Sequence, residues 1–286
     1  MDYAHPESLV STEWLAAHLG DKDIRVLDGT YHLPTVKRDA RAEFAAKHIP
    51  GAAFFDIDGI ADHTTDLPHM LPSPEAFQAE MRKLGISTET RVIVYDVYGF
   101  QSTARVWWSL RVFGHDNVAL LDGGLPKWLA ENRPTEAGAT APAAGNFVAK
   151  FRPELVRSKA QIIANIDTKV EQVLDARAAG RFEGTAPEPR AGLRGGHIPG
   201  SRNLPMTDLV DPATKQLKSA DDLAKLYAAA GIDTTKPIAT TCGSGVTACG
   251  LAFGLHLIGI DKVAIYDGSW SEWGLPDGPP VATGPA

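Results

Sequence analysis

Along this chain, short runs of β-branched and aliphatic residues alternate with stretches whose apolar positions recur at helical spacing. DIRVLDGT (23–30), RVIVYD (91–96) and NVALLDGG (117–124) read as strands in the first half. VEQVLDA (170–176), KPIATT (236–241) and KVAIYDG (262–268) do so in the second. Continuous apolar runs of this kind belong to parallel sheets covered on both faces. PEAFQAEMRKLGI (74–86) and SADDLAKLYAAAGI (219–232) carry helical periodicity. The latter opens on Ser219, a capping hydroxyl with Asp222 three positions on, and closes at Gly231. The mostly apolar stretch from Thr247 onward has the length of a helix. Strands alternating with helices make the fold class α/β.

The pattern occurs twice. HIPGA at 48–52 returns as HIPGS at 197–201, and RVLDGT at 25–30 as QVLDAR at 172–177. LLDGGLPKW at 120–128 returns as IYDGSWSEW at 265–273, and LGI at 84–86 as AGI at 230–232. The pairs are collinear and nearly equally spaced, which predicts a duplicated domain with two sheets in tandem. Between the copies, ENRPTEAGATAPAAGNF (131–147) has neither period and reads as a linker. The expected division is a first domain over 1–135, a linker over 136–154 and a second domain over 155–286.

Composition narrows the function classes. The 286 residues are 44% hydrophobic and 22% charged, with a net charge of −7. That is a soluble globular chain with no electrostatic footprint for nucleic acid or an anionic membrane. No apolar run approaches the ~18 residues of a membrane span. The opening MDYAHPESLVSTEWLAAHLGDKD has no basic n-region and no apolar core, so no signal peptide is read there. Two cysteines seven positions apart form no disulfide framework and suit a reducing cytoplasm. With the histidines scattered, no zinc spacing is present, and neither metal nor organic cofactor is expected.

Both cysteines lie in TTCGSGVTACG (240–250). Cys242 falls between the end of a strand and the start of a helix, where α/β folds gather their sites. A helix N-terminus offers unpaired N–H groups and a field that favours an anionic sulfur. Gly243 and Gly245 permit unusual backbone angles that would aim several N–H groups inward. Cys242 is therefore the candidate nucleophile, and Cys249, two turns into an apolar helix, a core residue. The first copy has no cysteine, and offers Val97 and Tyr98 at the aligned place. Its expected part is to wall the site. Taken alone, Arg181 and Arg190 read as solvated arginines, His69 as a loop histidine and Asp58 as a turn cap. His48 and His197 recur in both copies, which argues for a structural job.

Paired HIPGA/HIPGS, the LDAR start and the DGSWSEW close resemble the two-domain rhodanese (sulfurtransferase) superfamily across essentially the whole chain. Within it, CGSGVTA (242–248) looks like the 3-mercaptopyruvate sulfurtransferase type, as do GRFEGTAPEPRAGLRGGHIPGS (180–201) and FFDIDGIADHTTDLPHMLP (54–72). The resemblance implies two tandem rhodanese-like domains, each a parallel sheet with helices on both faces, the second one catalytic. It implies that Cys242 carries sulfur as a persulfide and that Arg181 and Arg190 hold the substrate's carboxylate and keto group. It further implies a proton relay of Ser244, His69 and Asp58, with Gly243, Gly245, Val246 and Thr247 completing the substrate-binding loop. The sulfur donor would be 3-mercaptopyruvate, releasing pyruvate. The acceptor would be a thiol such as thioredoxin or glutathione, or cyanide.

Three alternatives remain at this level. Thiosulfate could be the donor, although Gly243 and Ser244 stand where thiosulfate-using relatives tend to carry basic residues. A CX5R phosphatase would need arginine at 248, which is Ala248. A non-catalytic rhodanese-like binding module would not need Cys242.

Overall fold

The computed structural model describes residues 2–286. Its strands form two five-stranded sheets, parallel throughout. The first contains β1 (Leu9–Val10), β2 (Ile24–Asp28), β3 (Ala53–Phe54), β4 (Arg91–Tyr95) and β5 (Val118–Leu121), in the order β1-β5-β4-β2-β3. The second contains β6 (Val156–Arg157), β7 (Gln172–Asp175), β8 (Arg202–Asn203), β9 (Ile238–Thr241) and β10 (Val263–Tyr266), in the order β6-β10-β9-β7-β8. The equivalent order is the structural counterpart of the sequence repeat. All six strands expected from apolar runs are present. The four edge strands are two residues long, too short to leave a period in the sequence.

Among the described residues, ten α-helices accompany the strands. Those of the first half are α1 (Thr12–His18), α2 (Ala40–Ala46), α3 (Pro74–Lys83), α4 (Thr103–Val112) and α5 (Gly124–Ala130). The second half supplies α6 (Lys159–Thr168), α7 (Ala179–Glu183), α8 (Ala220–Ala229), α9 (Ala248–Leu257) and α10 (Ser269–Trp273). Ser219 caps α8 by accepting from the Asp222 amide, and Gly231 leaves the helix at φ +74°. Both features match the sequence reading.

Helices α4 and α9 pack on each other where the two halves meet. All ten residues of α9 are buried, and nine of the ten in α4. Trp107 meets Phe253 edge-on at 5.1 Å between ring centroids. A Cβ at Gly250 would lie 2.6 Å from the Met206 side chain and 3.2 Å from that of Phe100, so the glycine lets both pack closely on α9. One apolar cluster therefore runs through both domains.

The connecting segment is a packed strap. The Glu136 amide and carbonyl bridge to His48, Gly145 donates to the Arg82 carbonyl at 2.8 Å, and Phe147 is 1% exposed. His197 makes the equivalent bridge to Ala282. Each of these histidines also stacks on a phenylalanine, Phe44 or Phe182, and points Nδ1 at that residue's carbonyl. Their repetition thus has the structural basis inferred from the sequence. Among the described residues, no helix is long and apolar enough to cross a membrane.

Candidate active site

Cys242 follows directly on Thr241, the last residue of β9, and is 2% exposed. Six residues later α9 begins, with Thr247 in the N-cap place. The carbonyls of the intervening loop are committed outward. Those of Cys242 and Gly243 accept from the Trp270 and Ser271 amides of α10 at 2.9 and 2.8 Å. That of Gly245 accepts from Arg105 Nη1 at 3.1 Å and from the Cys249 thiol at 3.1 Å. The Cys242 amide donates to Ser269 Oγ. Among the described residues, the amides of 243–247 make no hydrogen bond, so they are available to an anion at the loop centre.

The first domain shows what such a loop does with an anion. Asp28 pairs with Tyr95 as Asp175 pairs with Thr241, so the residue aligned with Cys242 is Asp96. This corrects the expectation of Val97 at that place: the first-domain loop is one residue longer before its helix. Asp96 Oδ2 accepts from the amides of Gln101, Ser102 and Thr103, at 2.8, 2.8 and 3.3 Å, and Oδ1 from that of Tyr98 at 2.9 Å. A carboxylate fills one cradle; a thiol stands at the other.

The two loop glycines differ in use. Gly245 has φ +74°, as expected for a left-handed turn. Gly243 is outside that region; its missing side chain serves another end. A Cβ there would lie 3.0 Å from Arg181 Nη2, so the bare backbone admits the guanidinium over the loop. Val246 is buried in the shared core, and Thr247 makes no side-chain cap bond.

Arg181, on α7, is held by Glu188 at 2.6 Å, whose other oxygen binds the buried Arg177 at 2.8 Å. Arg190 donates to the Tyr31 hydroxyl at 3.3 Å. Tyr31 in turn lies edge-on to His69, with centroids 4.7 Å apart. Burial raises the Tyr31 phenol above its usual range, opposed by the Arg190 charge.

His69 comes from the first domain yet is buried against the second. Its Nδ1 is 3.0 Å from Ser244 Oγ, and its Nε2 is 3.0 Å from Asp58 Oδ1. The hydrogen bond from His69 holds the Asp58 carboxyl below its usual range. An ionised Asp58 accepts from Nε2–H, which leaves Nδ1 to accept the Ser244 hydroxyl. Asp58 is exposed and His69 buried, so the chain of contacts runs from solvent to the cysteine loop.

Arg105 and Asp267 were not suggested by the sequence. Both are buried, and Arg105 Nη1 meets Asp267 Oδ1 at 2.6 Å. Arg105 Nη2 donates to the His69 carbonyl, and Asp267 Oδ2 accepts the Leu71 amide at 2.8 Å. Burial works against charge on Arg105, and Asp267 together with the two nearby cysteines more than offsets it. Tyr31 and Glu188 were missed as well. Their only sequence signal is position, shortly after the strand end for Tyr31 and between the two arginines for Glu188.

Cys249 is fully buried, and burial pushes its thiol far above the usual range. Both cysteines are unpaired. A cavity of about 530 Å³ lies beside the site, lined by Tyr31, Asp58, Arg38 and Arg41, but Cys242 is not on its wall. Among the described residues, His5, His256 and Asp261 bring possible metal ligands within 4.8 Å of one another. The Arg111 guanidinium, 3.2 Å from His256 Nδ1, opposes a cation there.

The rhodanese-like domain model matches residues 11–131 and again 158–275. The chain belongs to the rhodanese family. Its members include 3-mercaptopyruvate sulfurtransferase of Rattus norvegicus, 45% identical over 93% of this chain and 91% of the relative. Thiosulfate sulfurtransferase of Bos taurus is 41% identical over the same shares. The crystal structure of SseA from Escherichia coli, a 3-mercaptopyruvate sulfotransferase, superposes with a TM-score of 0.85 at 40% identity, covering 93% of this chain and 99% of that one. Two rhodanese domains in tandem, each with a parallel sheet flanked by helices, are thus the fold of this chain.

Proposed function

We propose that this chain is a 3-mercaptopyruvate sulfurtransferase in which Cys242 carries the sulfur. The observation that carries the reading is the relay of Asp58, His69 and Ser244 ending in the cysteine loop, with Arg181 and Arg190 beside it. The domain division 1–135, 136–154 and 155–286, with the first domain non-catalytic, belongs to the same proposal.

The Cys242 thiolate attacks the substrate sulfur. The S–S bond forms, the C–S bond breaks, and its electron pair leaves as the pyruvate enolate. The proton lost from the substrate thiol is the proton gained at the enolate carbon, so one relay serves both ends. Ser244 lies closest to that path, and His69, oriented by Asp58, accepts and returns the proton. Arg181 and Arg190 present planar donors to the carboxylate and keto oxygen. The persulfide left on Cys242 is stabilised by the unused loop amides. A thiol such as thioredoxin or glutathione, or cyanide, then takes the outer sulfur. No metal or organic cofactor takes part. Two unpaired cysteines suit a cytoplasmic location.

Thiosulfate is the second donor to consider, because the bovine relative is named for it. Two guanidiniums stand at the loop, Arg181 tied to Glu188 and Arg105 paired with Asp267, which leaves little free positive charge for a dianion, so kcat/KM should favour 3-mercaptopyruvate. Incubation with donor should add one sulfur to the protein by mass spectrometry, and Cys242→Ser should abolish that adduct. An adduct that survives the substitution, or a preference for thiosulfate, overturns the reading.

A further inference from the structure

We propose that Arg105 and Asp267 are positioning residues for sulfur transfer: one buried ion pair, bridging the two domains, sets His69 against Ser244. The inference rests on the relay proposed above.

Arg105 is 3% exposed on α4 of the first domain, and Asp267 follows β10 in the second. Their contacts reach both partners of the relay. Arg105 Nη2 holds the His69 carbonyl, and Asp267 Oδ2 holds the amide two residues on. Directly ahead of these two bonds His69 sits at φ +64°, a conformation costly for a residue with a Cβ and kept only where surroundings impose it. Arg105 Nη1 meanwhile holds the carbonyl of Gly245, next to Ser244. The same carbonyl receives the Cys249 thiol, and a Cβ at Gly245 would come within 2.7 Å of the Asp267 carbonyl. The loop therefore has no room to slide. A single pair holds the His69 carbonyl and the Gly245 carbonyl one residue beyond Ser244, so the 3.0 Å contact is anchored from both sides. A buried pair costs desolvation that apolar side chains would avoid, so stability alone does not call for it at this seam. Fixed orientation does.

The test is steady-state turnover of 3-mercaptopyruvate in a mutant cycle. Arg105→Gln and Asp267→Asn should lower kcat on the order of 10- to 100-fold, as expected of a relay displaced by an ångström, with KM little changed. Arg105→Lys should restore part of the loss. In a His69→Asn background, adding Arg105→Gln should cost no more than about twofold, because a displaced relay and an absent one are equivalent. Full multiplication of the two losses, or an unchanged kcat in both single variants, overturns the positioning role. If His69→Asn itself turns over normally, the relay reading fails and takes this inference with it. Should Arg105→Gln lack a cooperative melt, the isosteric Asp267→Asn carries the same cycle.

Discussion

At Gly243 a methyl group would lie 3.0 Å from the Arg181 guanidinium, and this absence of side chain brings a positive charge to an otherwise uncharged loop. Arg181 is also tied to Glu188, and Arg190 to the neutral Tyr31 hydroxyl. The two arginines therefore differ in how much charge they can give a substrate. Hydrogen bonds to charged groups contribute about 1.5–3 kcal/mol each, so Arg190→Gln should raise KM for 3-mercaptopyruvate roughly 10- to 100-fold. Arg181→Gln should raise it less, because Glu188 already takes part of the Arg181 charge, and lysine should rescue neither fully, since a point charge cannot replace a planar fork. Initial-rate kinetics check this. Unchanged KM in both variants would return these arginines to ordinary surface positions.

Elements carry the next level of the argument. The loop between β9 and α9 keeps its shape because neighbours occupy its carbonyls: α10 from one side, Arg105 and Cys249 from the other. The loop between β4 and α4 has the same topology with its amides closed on Asp96. The two loops thus differ by one residue of length, and in the first the amides are taken up by the loop's own carboxylate. Gly245 is the position where this shape is least forgiving. Alanine there would be strained at φ +74° and meet the Asp267 carbonyl and Arg105. Gly245→Ala should cost about 1–3 kcal/mol from backbone strain alone, read as a lowered Tm. It should also lower kcat with Arg181 and Arg190 intact. A variant of wild-type Tm and kcat would show that the loop tolerates rearrangement.

The whole molecule is joined along a seam that includes more than α4 and α9. The N-terminal segment crosses to the second domain, with the Ala4 amide on the Leu257 carbonyl and Ser8 Oγ 3.1 Å from His256 Nε2. Around His256 lie Asp261, Arg111, the stacked ring of His5 and Trp107. Burial first, and the Arg111 charge second, push the imidazole down to about 4. Unfolded histidine titrates near 6.5, so below that pH the unfolded chain takes a proton the fold refuses. This contribution to stability is complete above about pH 6.5 and lost as pH falls toward 4, amounting to about 2–3 kcal/mol. Asp28, raised by burial to about 6, works in the opposite sense: its fold favours the protonated form, so its contribution declines as pH rises through 6. Comparison with His256→Gln separates the two. Chemical denaturation at pH 7.5 and 4.5 should show a smaller acid loss in the variant, and an equal loss would exclude His256 as the source.

Read alone, the sequence determined the α/β class, the duplication and the place of Cys242, because these depend on local pattern: apolar runs, helical spacing, and a glycine loop between strand and helix. His69, Asp58, Arg181 and Arg190 were legible only through resemblance, since nothing in their own neighbourhoods distinguishes them from loop residues. Tertiary structure alone decided the rest. Arg105 and Asp267 are 162 positions apart, and His69 and Ser244 are 175 apart. Such pairs meet only when two sheets dock along a common helix seam. The alignment of Asp96 with Cys242 likewise needed strand register, because a loop one residue longer shifts every position counted along the chain. The strap over 131–147 shows the same limit: it has no period to read, and only packing against the first domain gives Phe147 a place in the core.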